Sequence, residues 1–402
     1  MGKTICFDLR SLQTGHENRG IGMVIKSILE NISDDENKYI FYIFDKNNPL
    51  EALNIKPQLS YEIVTTKTLK TEIKKPIDFI FTLRLLFHRF SKLRAYQPDA
   101  FVQFDFMLGL PTWRKTRTYT FAYDLIPLIM KREYLPSPTF AWNHKVGRTR
   151  AKLKAAVRAA YYAIKYSYTY RTYTKSDSII SISKSTSESF SKHLGIDGAK
   201  IITIPLAPAG SQHTFDDTLD KPSSPFIFYI GGTDSRKRVE QIVYAFNIVR
   251  SRGYNLQLFL AGNEFLSHET IPSTVVRDAI SASPYKKDII CLGFVSDTQK
   301  NNLYKKAHAF VFCSLYEGFG LPVIEAAVNG CPVVTYSNSS IPEAIGNAAL
   351  LAQSNNYVDV ALKIIELYDT DTRNKYISRG LKRAKLFSWD KFITRFLATI
   401  TK

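Results

Sequence analysis

The stretch A-F-V-F-C-S-L-Y-E-G-F-G-L-P-V-I-E-A-A-V-N-G-C-P-V-V-T-Y, residues 309–336, decides the fold. It opens on an apolar run rich in β-branched and aromatic residues, 309–313, and closes on a second, 332–336. Between them V-I-E-A-A-V-N reads as a short helix. Pro322 suits its first turn, where an N–H would be unpaired anyway, and Gly330 suits its end. Strand, helix and strand in so few residues form a parallel crossover unit. Gly318-Phe319-Gly320-Leu321 then becomes a strand-to-helix loop. Its free N–H groups and the positive end of the helix dipole suit an anion. Glu317 and Glu325 enclose this loop, with Glu325 expected in the first helical turn. Carboxylates accept hydrogen bonds from pairs of hydroxyls, so the constellation suits a sugar, a diphosphate and a ribose in series. The plain alternative is a structural crossover carrying two solvated glutamates.

The same alternation runs through the chain twice. Before it reaches 205, strands are expected at 4–9, 39–44, 99–104, 117–123, 178–183 and 201–205; after it, at 226–231, 255–261 and 288–293 as well. Continuous apolar strands suit parallel sheets covered on both faces. The Pro-, Ser- and Asp-rich stretch 206–225 interrupts the pattern. The expectation is α/β: two doubly wound, Rossmann-like domains facing a central cleft, with ligands at the carboxyl ends of the strands. The divisions are a first domain at 1–208, a second at 209–385, and a final amphipathic helix at 386–402.

Further anion loops are expected at Y-I-G-G-T-D-S-R-K-R (229–238) and at T-G-H-E-N-R-G-I-G (14–22). In the first, Gly231 and Gly232 end a strand, and Arg236 and Lys237 precede a helix. Cations there oppose the helix dipole, so a bound anion would offset the cost; a solvated basic turn is the alternative. In the second, Arg19, Gly20, Ile21 and Gly22 form a phosphate-approach loop without the full dinucleotide fingerprint. Tyr123-Asp124 closes the strand at 117–123, where an Asp is more often a cap than a catalyst.

The 402 residues contain 54 Lys+Arg against 36 Asp+Glu. Residues 1–200 hold 32 of those bases and 18 acids, so they contribute 14 of the net +18. Nine bases and no acid lie between His144 and Lys175. A helical stripe through Val146, Arg150, Leu153, Val157, Tyr161, Ile164 and Tyr168, with most bases off it, is expected to pack on the sheet. The cationic face, including Lys145, Arg148, Lys152, Arg158 and Lys165 with interleaved tyrosines, is expected to meet anionic headgroups. No nucleic-acid module is recognisable. The N-terminus reads as a buried strand, no run reaches the length of a membrane span, and the four cysteines suit a reducing compartment. The protein is therefore expected in the cytoplasm, peripheral at the inner membrane face. Metal-ligand spacing is absent.

The run 291–336, its continuation S-N-S-S-I-P-E-A-I-G-N-A-A-L-L (337–351), I-G-G-T-D-S-R-K and R-G-I-G together resemble glycosyltransferase family 4. These are retaining nucleotide-sugar transferases of the GT-B fold with a glutamate-x7-glutamate motif, matched here by Glu317 and Glu325. The resemblance implies that Glu317 contacts donor-sugar hydroxyls and Glu325 the ribose. Backbone N–H groups of Phe319, Gly320 and Leu321 would hold sugar and diphosphate. Lys237, with Arg236, would neutralise the leaving diphosphate, and Gly293-Phe294-Val295 would line the base pocket. Glu317, Lys237 and Asp124 are the implied catalytic set. No metal or other cofactor is implied. Two departures stand out: Tyr123 occupies the family's usual histidine position, and Gly231-Gly232 replaces its Gly-Arg. The expected activity is transfer of a sugar from a nucleotide donor to a saccharide or lipid-linked saccharide. The alternative is a non-catalytic GT-B subunit or scaffold; a nucleotide-sugar epimerase shares the architecture but lacks the motif.

Overall fold

The computed structural model describes residues 2–14, 17, 20–33, 36–44, 55–56, 59–65, 90, 92–111, 113–134, 149–208 and 224–402. The chain divides into two units, Met1–Leu206 with Trp389–Lys402, and Ala207–Ser388.

The first unit is built on a seven-stranded sheet. Its strands are β1 (Thr4–Asp8), β2 (Lys38–Ile43), β3 (Tyr61–Thr65), β4 (Ala100–Gln103), β5 (Arg117–Ala122), β6 (Ser178–Ser181) and β7 (Ile201–Thr203). The order is β3-β2-β1-β4-β5-β6-β7, and every neighbouring pair is parallel. Phe7 of the inner strand β1 lies opposite Phe41 on one side and Val102 on the other. Ile5, Cys6 and Phe7 are fully buried, as a strand covered on both faces requires. The sequence pattern passes over β3, an edge strand whose Y-E-I-V-T mixes polar and apolar residues because it is only half covered.

The final helix, Trp389–Ile400, closes this unit. Phe396 lies 5.9 Å from Phe7 and 5.8 Å from Phe121, between ring centroids, and Phe392 joins the same cluster. Its apolar positions recur at helical spacing (Phe392, Ile393, Phe396, Ile400), and all are buried.

The long helix Thr149–Lys175 departs from expectation. Its buried face is Ala159, Thr169, Tyr170 and Tyr173, with Tyr170 and Tyr173 packing around Phe106 and Phe190. The expected packing stripe is turned outward instead: Leu153 is 54%, Val157 60%, Ile164 71% and Tyr168 43% exposed. Large tyrosine rings bury more area than Leu or Val, and Thr169 and Tyr173 can satisfy their hydroxyls internally, so they win the inner face. Lys165 is half-buried rather than outward-facing; burial pushes its ammonium down, and the Asp105 charge opposes that shift. Lys145 and Arg148, and the side chain of Arg158, lie outside the described residues.

The second unit has six parallel strands: β8 (Phe226–Ile230), β9 (Gln257–Ala261), β10 (Ile289–Gly293), β11 (Ala309–Phe312), β12 (Val333–Tyr336) and β13 (Ala349–Ala352). Their order is β10-β9-β8-β11-β12-β13. The sequence pattern passes over β13, whose A-L-L-A has no β-branched or aromatic residue. Order reverses between β8 and β11, which places a topological switch point between their carboxyl ends. Among the described residues no helix is long and apolar enough to cross a membrane.

Candidate functional site

The opening loop follows β11, and the Arg236-Lys237 turn follows β8, so the two flank that switch point. The helix Leu321–Val328 begins after Gly320, whose φ of 90° is costly for any residue with a Cβ. A Cβ there would also lie 2.5 Å from Ile341. Pro322 sits in the first turn, and Phe319 is buried against Phe387.

Glu317 is not solvated. Its Oε1 lies 2.6 Å from Arg236 Nη1 and 2.6 Å from Lys237 Nζ, with all three side chains no more than 15% exposed. Arg236 also donates to the Tyr316 carbonyl at 2.8 Å, and Lys237 sits 4.8 Å over the Phe312 ring. Ser339 accepts from the Glu317 N–H, and the Ser340 hydroxyl donates to its carbonyl, both at 2.9 Å. Burial alone would raise the Glu317 carboxyl, but Lys237 and Arg236 outweigh it and hold it below the usual carboxylate range. Burial pushes the Lys237 ammonium down, Arg236 adds to the shift, and Glu317 restores only part of it. The anion that sequence reasoning required beside these cations is thus supplied from within the chain. Arg236 and Lys237 precede a helix as expected: the left-handed Arg238 is its N-cap and the helix begins at Val239.

Glu325 lies beyond the first turn, and it is 8% exposed. Lys300 Nζ reaches its Oε1 and the Tyr304 hydroxyl its Oε2, both at 3.4 Å. Asp297 holds the same Lys300 at 2.8 Å. Burial pushes the lysine down, but Glu325 and Asp297 more than offset it. The two glutamates are therefore buried ion-pair members, and the reading of two solvated residues is corrected.

Around this core the carboxyl ends of β8, β9 and β10 meet through their backbones. Gly231 N–H donates to Ala261 O at 3.0 Å, Gly262 N–H to Gly293 O at 2.7 Å, and Gly293 N–H to Phe265 O at 2.8 Å. Gly262 must be glycine, since a Cβ would lie 2.1 Å from the Gly231 carbonyl. Glu264, which sequence reading missed, accepts from the N–H and hydroxyl of Thr233, both at 2.6 Å, and fixes the Gly232 turn. The G-N-E at 262–264, directly after an apolar strand, was its signal. Phe294, just past β10, leaves its ring 74% exposed at this edge. Val295 follows it.

In the first unit, Tyr123 and Asp124 follow β5. Asp124 accepts from the Ile126 N–H at 3.0 Å, a local turn leading into the short helix Ile126–Ile129, whose N-cap is Leu125. The Tyr123 hydroxyl is buried with no hydrogen-bond partner among the described residues, and burial, then Asp105, push its phenol well above the usual value. It stays a neutral donor. Gly20, Ile21 and Gly22 open the helix Gly20–Asn31; Arg19 lies outside the described residues. Sequence reading also missed Asp8 and Arg10, a fully buried pair joined by two 2.7 Å hydrogen bonds. Arg10 reaches Leu108 O at 2.8 Å across this unit's own switch point, between β1 and β4. Among the described residues no three His, Cys, Asp or Glu side chains gather as metal ligands.

Residues 211–383 match the family model of glycosyl transferases group 1. The chain is 33% identical over 172 residues to the O-antigen chain mannosyltransferase B of Escherichia coli, covering 42% of this chain and 44% of that protein. It spans less than half the length of the first curated relatives it matches. A crystal structure of a glycosyltransferase from Rickettsia africae ESF-5 superposes with a TM-score of 0.65 at 15% identity, over 99% of this chain and 98% of that one. Anabaena HepE, solved in complex with UDP and glucose, gives 0.65 at 14% identity over 100% of both chains. At such identities the likeness establishes the fold alone: α/β with two parallel sheets, the GT-B class of these neighbours.

Proposed function

We propose that this chain is a retaining, metal-independent glycosyltransferase of the family 4 type. It transfers a sugar from a nucleotide donor to a saccharide or lipid-linked saccharide acceptor in surface polysaccharide or glycoconjugate synthesis. The observation that carries this reading is the Arg236–Glu317–Lys237 knot at the second unit's switch point, inside the segment matching glycosyl transferases group 1.

The chemistry follows from that knot. The donor diphosphate replaces the Glu317 carboxylate as the anion between Arg236 and Lys237. Released, Glu317 accepts from the sugar hydroxyls. Gly318, Phe319, Gly320 and Leu321 present the helix N-terminus to the phosphates. Glu325 keeps lone pairs beyond Lys300 and Tyr304 for the ribose hydroxyls, and Phe294 offers its ring to the base. As the bond from the anomeric carbon to phosphate oxygen breaks, the two cations stabilise the charge left on the diphosphate. The acceptor oxygen bonds the same face of that carbon and its proton passes to the departing phosphate. Hydrolysis and transfer from a panel of nucleotide sugars, with product configuration read by NMR, test this. Turnover unchanged in Glu317→Ala and Lys237→Ala, or an inverted product, refutes it.

Tyr123 favours one alternative, a non-catalytic subunit that binds nucleotide sugar, because a neutral phenol cannot act as an imidazolium. Donor binding without turnover would select it.

The helix Thr149–Lys175 is the proposed contact with an anionic membrane surface. Its outward Leu153, Val157, Ile164 and Tyr168 form an apolar stripe beside bases such as Lys152, as an interfacial helix requires. Flotation with anionic and neutral vesicles checks it: the wild type should prefer anionic ones, and Val157→Asn/Ile164→Asn should lose most binding. Equal flotation of both proteins counts against it.

A further inference from the structure

A cavity lies at the amino-terminal end of the first unit's strands, where β4 and β5 begin. It measures about 410 Å³ and is lined by Arg94, Gln97, Trp113, Arg114, Lys115 and Thr116. The six residues of β5 separate it from Tyr123, about 20 Å at the rise of a strand. Its described lining residues all belong to the first unit, whereas the residues proposed to hold the donor belong to the second.

Its walls are anchored to the core. The turn Leu93–Tyr96 ends at Gln97, and the Thr116 hydroxyl donates to Pro98 O at 2.7 Å, joining the two segments. Trp113 packs edge-on against Phe90, ring centroids 6.1 Å apart, within a buried aromatic cluster. The indole is thus held while part of it stays uncovered.

The charge is unbalanced. Arg94, Arg114 and Lys115 are exposed, and none makes an ion pair among the described residues. No carboxylate is among the described residues of the lining. Three cations around one cavity repel one another and create a field that an anion relieves. Guanidinium forks bind phosphate oxygens in pairs. Three positive charges match a dianionic monoester or a diphosphate better than a singly charged phosphodiester. The indole adds a flat apolar wall of the kind that orients a ring.

We propose that this cavity binds a ring-bearing phosphate ester, a sugar with a terminal phosphate or diphosphate, the phosphate among Arg94, Arg114 and Lys115 and the ring on Trp113. The same chemistry reaches the site either free or on a lipid headgroup.

Calorimetric titration of the full chain with glucose 6-phosphate tests it, with glucose and inorganic phosphate as controls. Saturable binding is expected, at least tenfold tighter than inorganic phosphate, and none with glucose. Arg94→Gln/Arg114→Gln changes only exposed side chains and should weaken it at least tenfold; Lys237→Ala should not. Trp113→Leu should reduce it to the level of inorganic phosphate. Vesicles doped with phosphatidylinositol 4-phosphate present the ester on a lipid. Binding to them that the arginine variant loses assigns the membrane-borne source; binding confined to the soluble ester assigns the free one. The proposal is overturned if neither probe binds saturably, or if the arginine variant binds as the wild type does.

Discussion

Replacing Glu317 with glutamine leaves Arg236 and Lys237 facing each other with their shared anion gone. Each contact is 2.6 Å and the three side chains are 12–15% exposed, so solvent screens them only in part. Removing one member of a buried pair costs about 3–5 kcal/mol, and a glutamine oxygen that still accepts one bond returns about 1 kcal/mol. The net loss expected is about 2–4 kcal/mol. For a unit this size, each kcal/mol moves the melting temperature by about 2–4 °C, so the second unit should melt roughly 4–16 °C lower. Differential scanning calorimetry reads this directly. Inorganic pyrophosphate should then stabilise Glu317→Gln more than wild type, because the Glu317 carboxylate no longer competes with it for the two cations. The sign of the pH dependence is also set. A carboxyl held below its ordinary value stabilises the fold fully above the ordinary glutamate range, and that contribution is lost as pH falls through the depressed value. The gap between wild type and variant should therefore close in acid. A variant melting within 1 °C of wild type at neutral pH, with no greater response to pyrophosphate, would refute the reasoning.

Three further outcomes follow from the same structure. Lys300→Met leaves the buried Glu325 with Tyr304 alone and should cost about 3 kcal/mol by urea unfolding, with loss of nucleoside binding by calorimetry. Phe396→Ala, which empties a fully buried site between Phe7 and Phe121, should cost about 3–5 kcal/mol in the first unit; a loss under 1 kcal/mol would mean the helix is not docked there. His308 is buried against Tyr368, and burial, then Arg373, push its imidazole from 6.5 down to about 4. Its unfolded form binds the proton first, so stability should fall by about 3 kcal/mol as pH drops from 6.5 to 4, and His308→Gln should flatten that slope.

Local pattern carried much of the architecture. Continuous apolar strands alternating with helices, and the strand–glycine loop–helix of 309–336, are properties of neighbouring residues, so parallel sheets and the Glu317 loop were legible. Two strands were not: β3 is a half-covered edge, and β13 reads A-L-L-A, without the β-branched or aromatic residues that mark a strand.

What tertiary structure alone decided is which groups meet. Arg236 and Lys237 lie about 80 residues from Glu317, and only the strand order β8-β11 brings their loops together. That neighbourhood turned an expected empty anion site into an occupied ion pair, and made Glu325 a partner of Lys300 rather than a solvated residue. The long basic helix gives the same lesson in reverse. Its heptad-like stripe reads equally well as inward or outward, and the choice fell to the tyrosine face, whose larger rings fill the gap beside Phe106 and Phe190. Sequence by itself determined the repeating unit and the chemical types at the site. Packing decided their pairing, because burial and charge compensation depend on distances that no local pattern encodes.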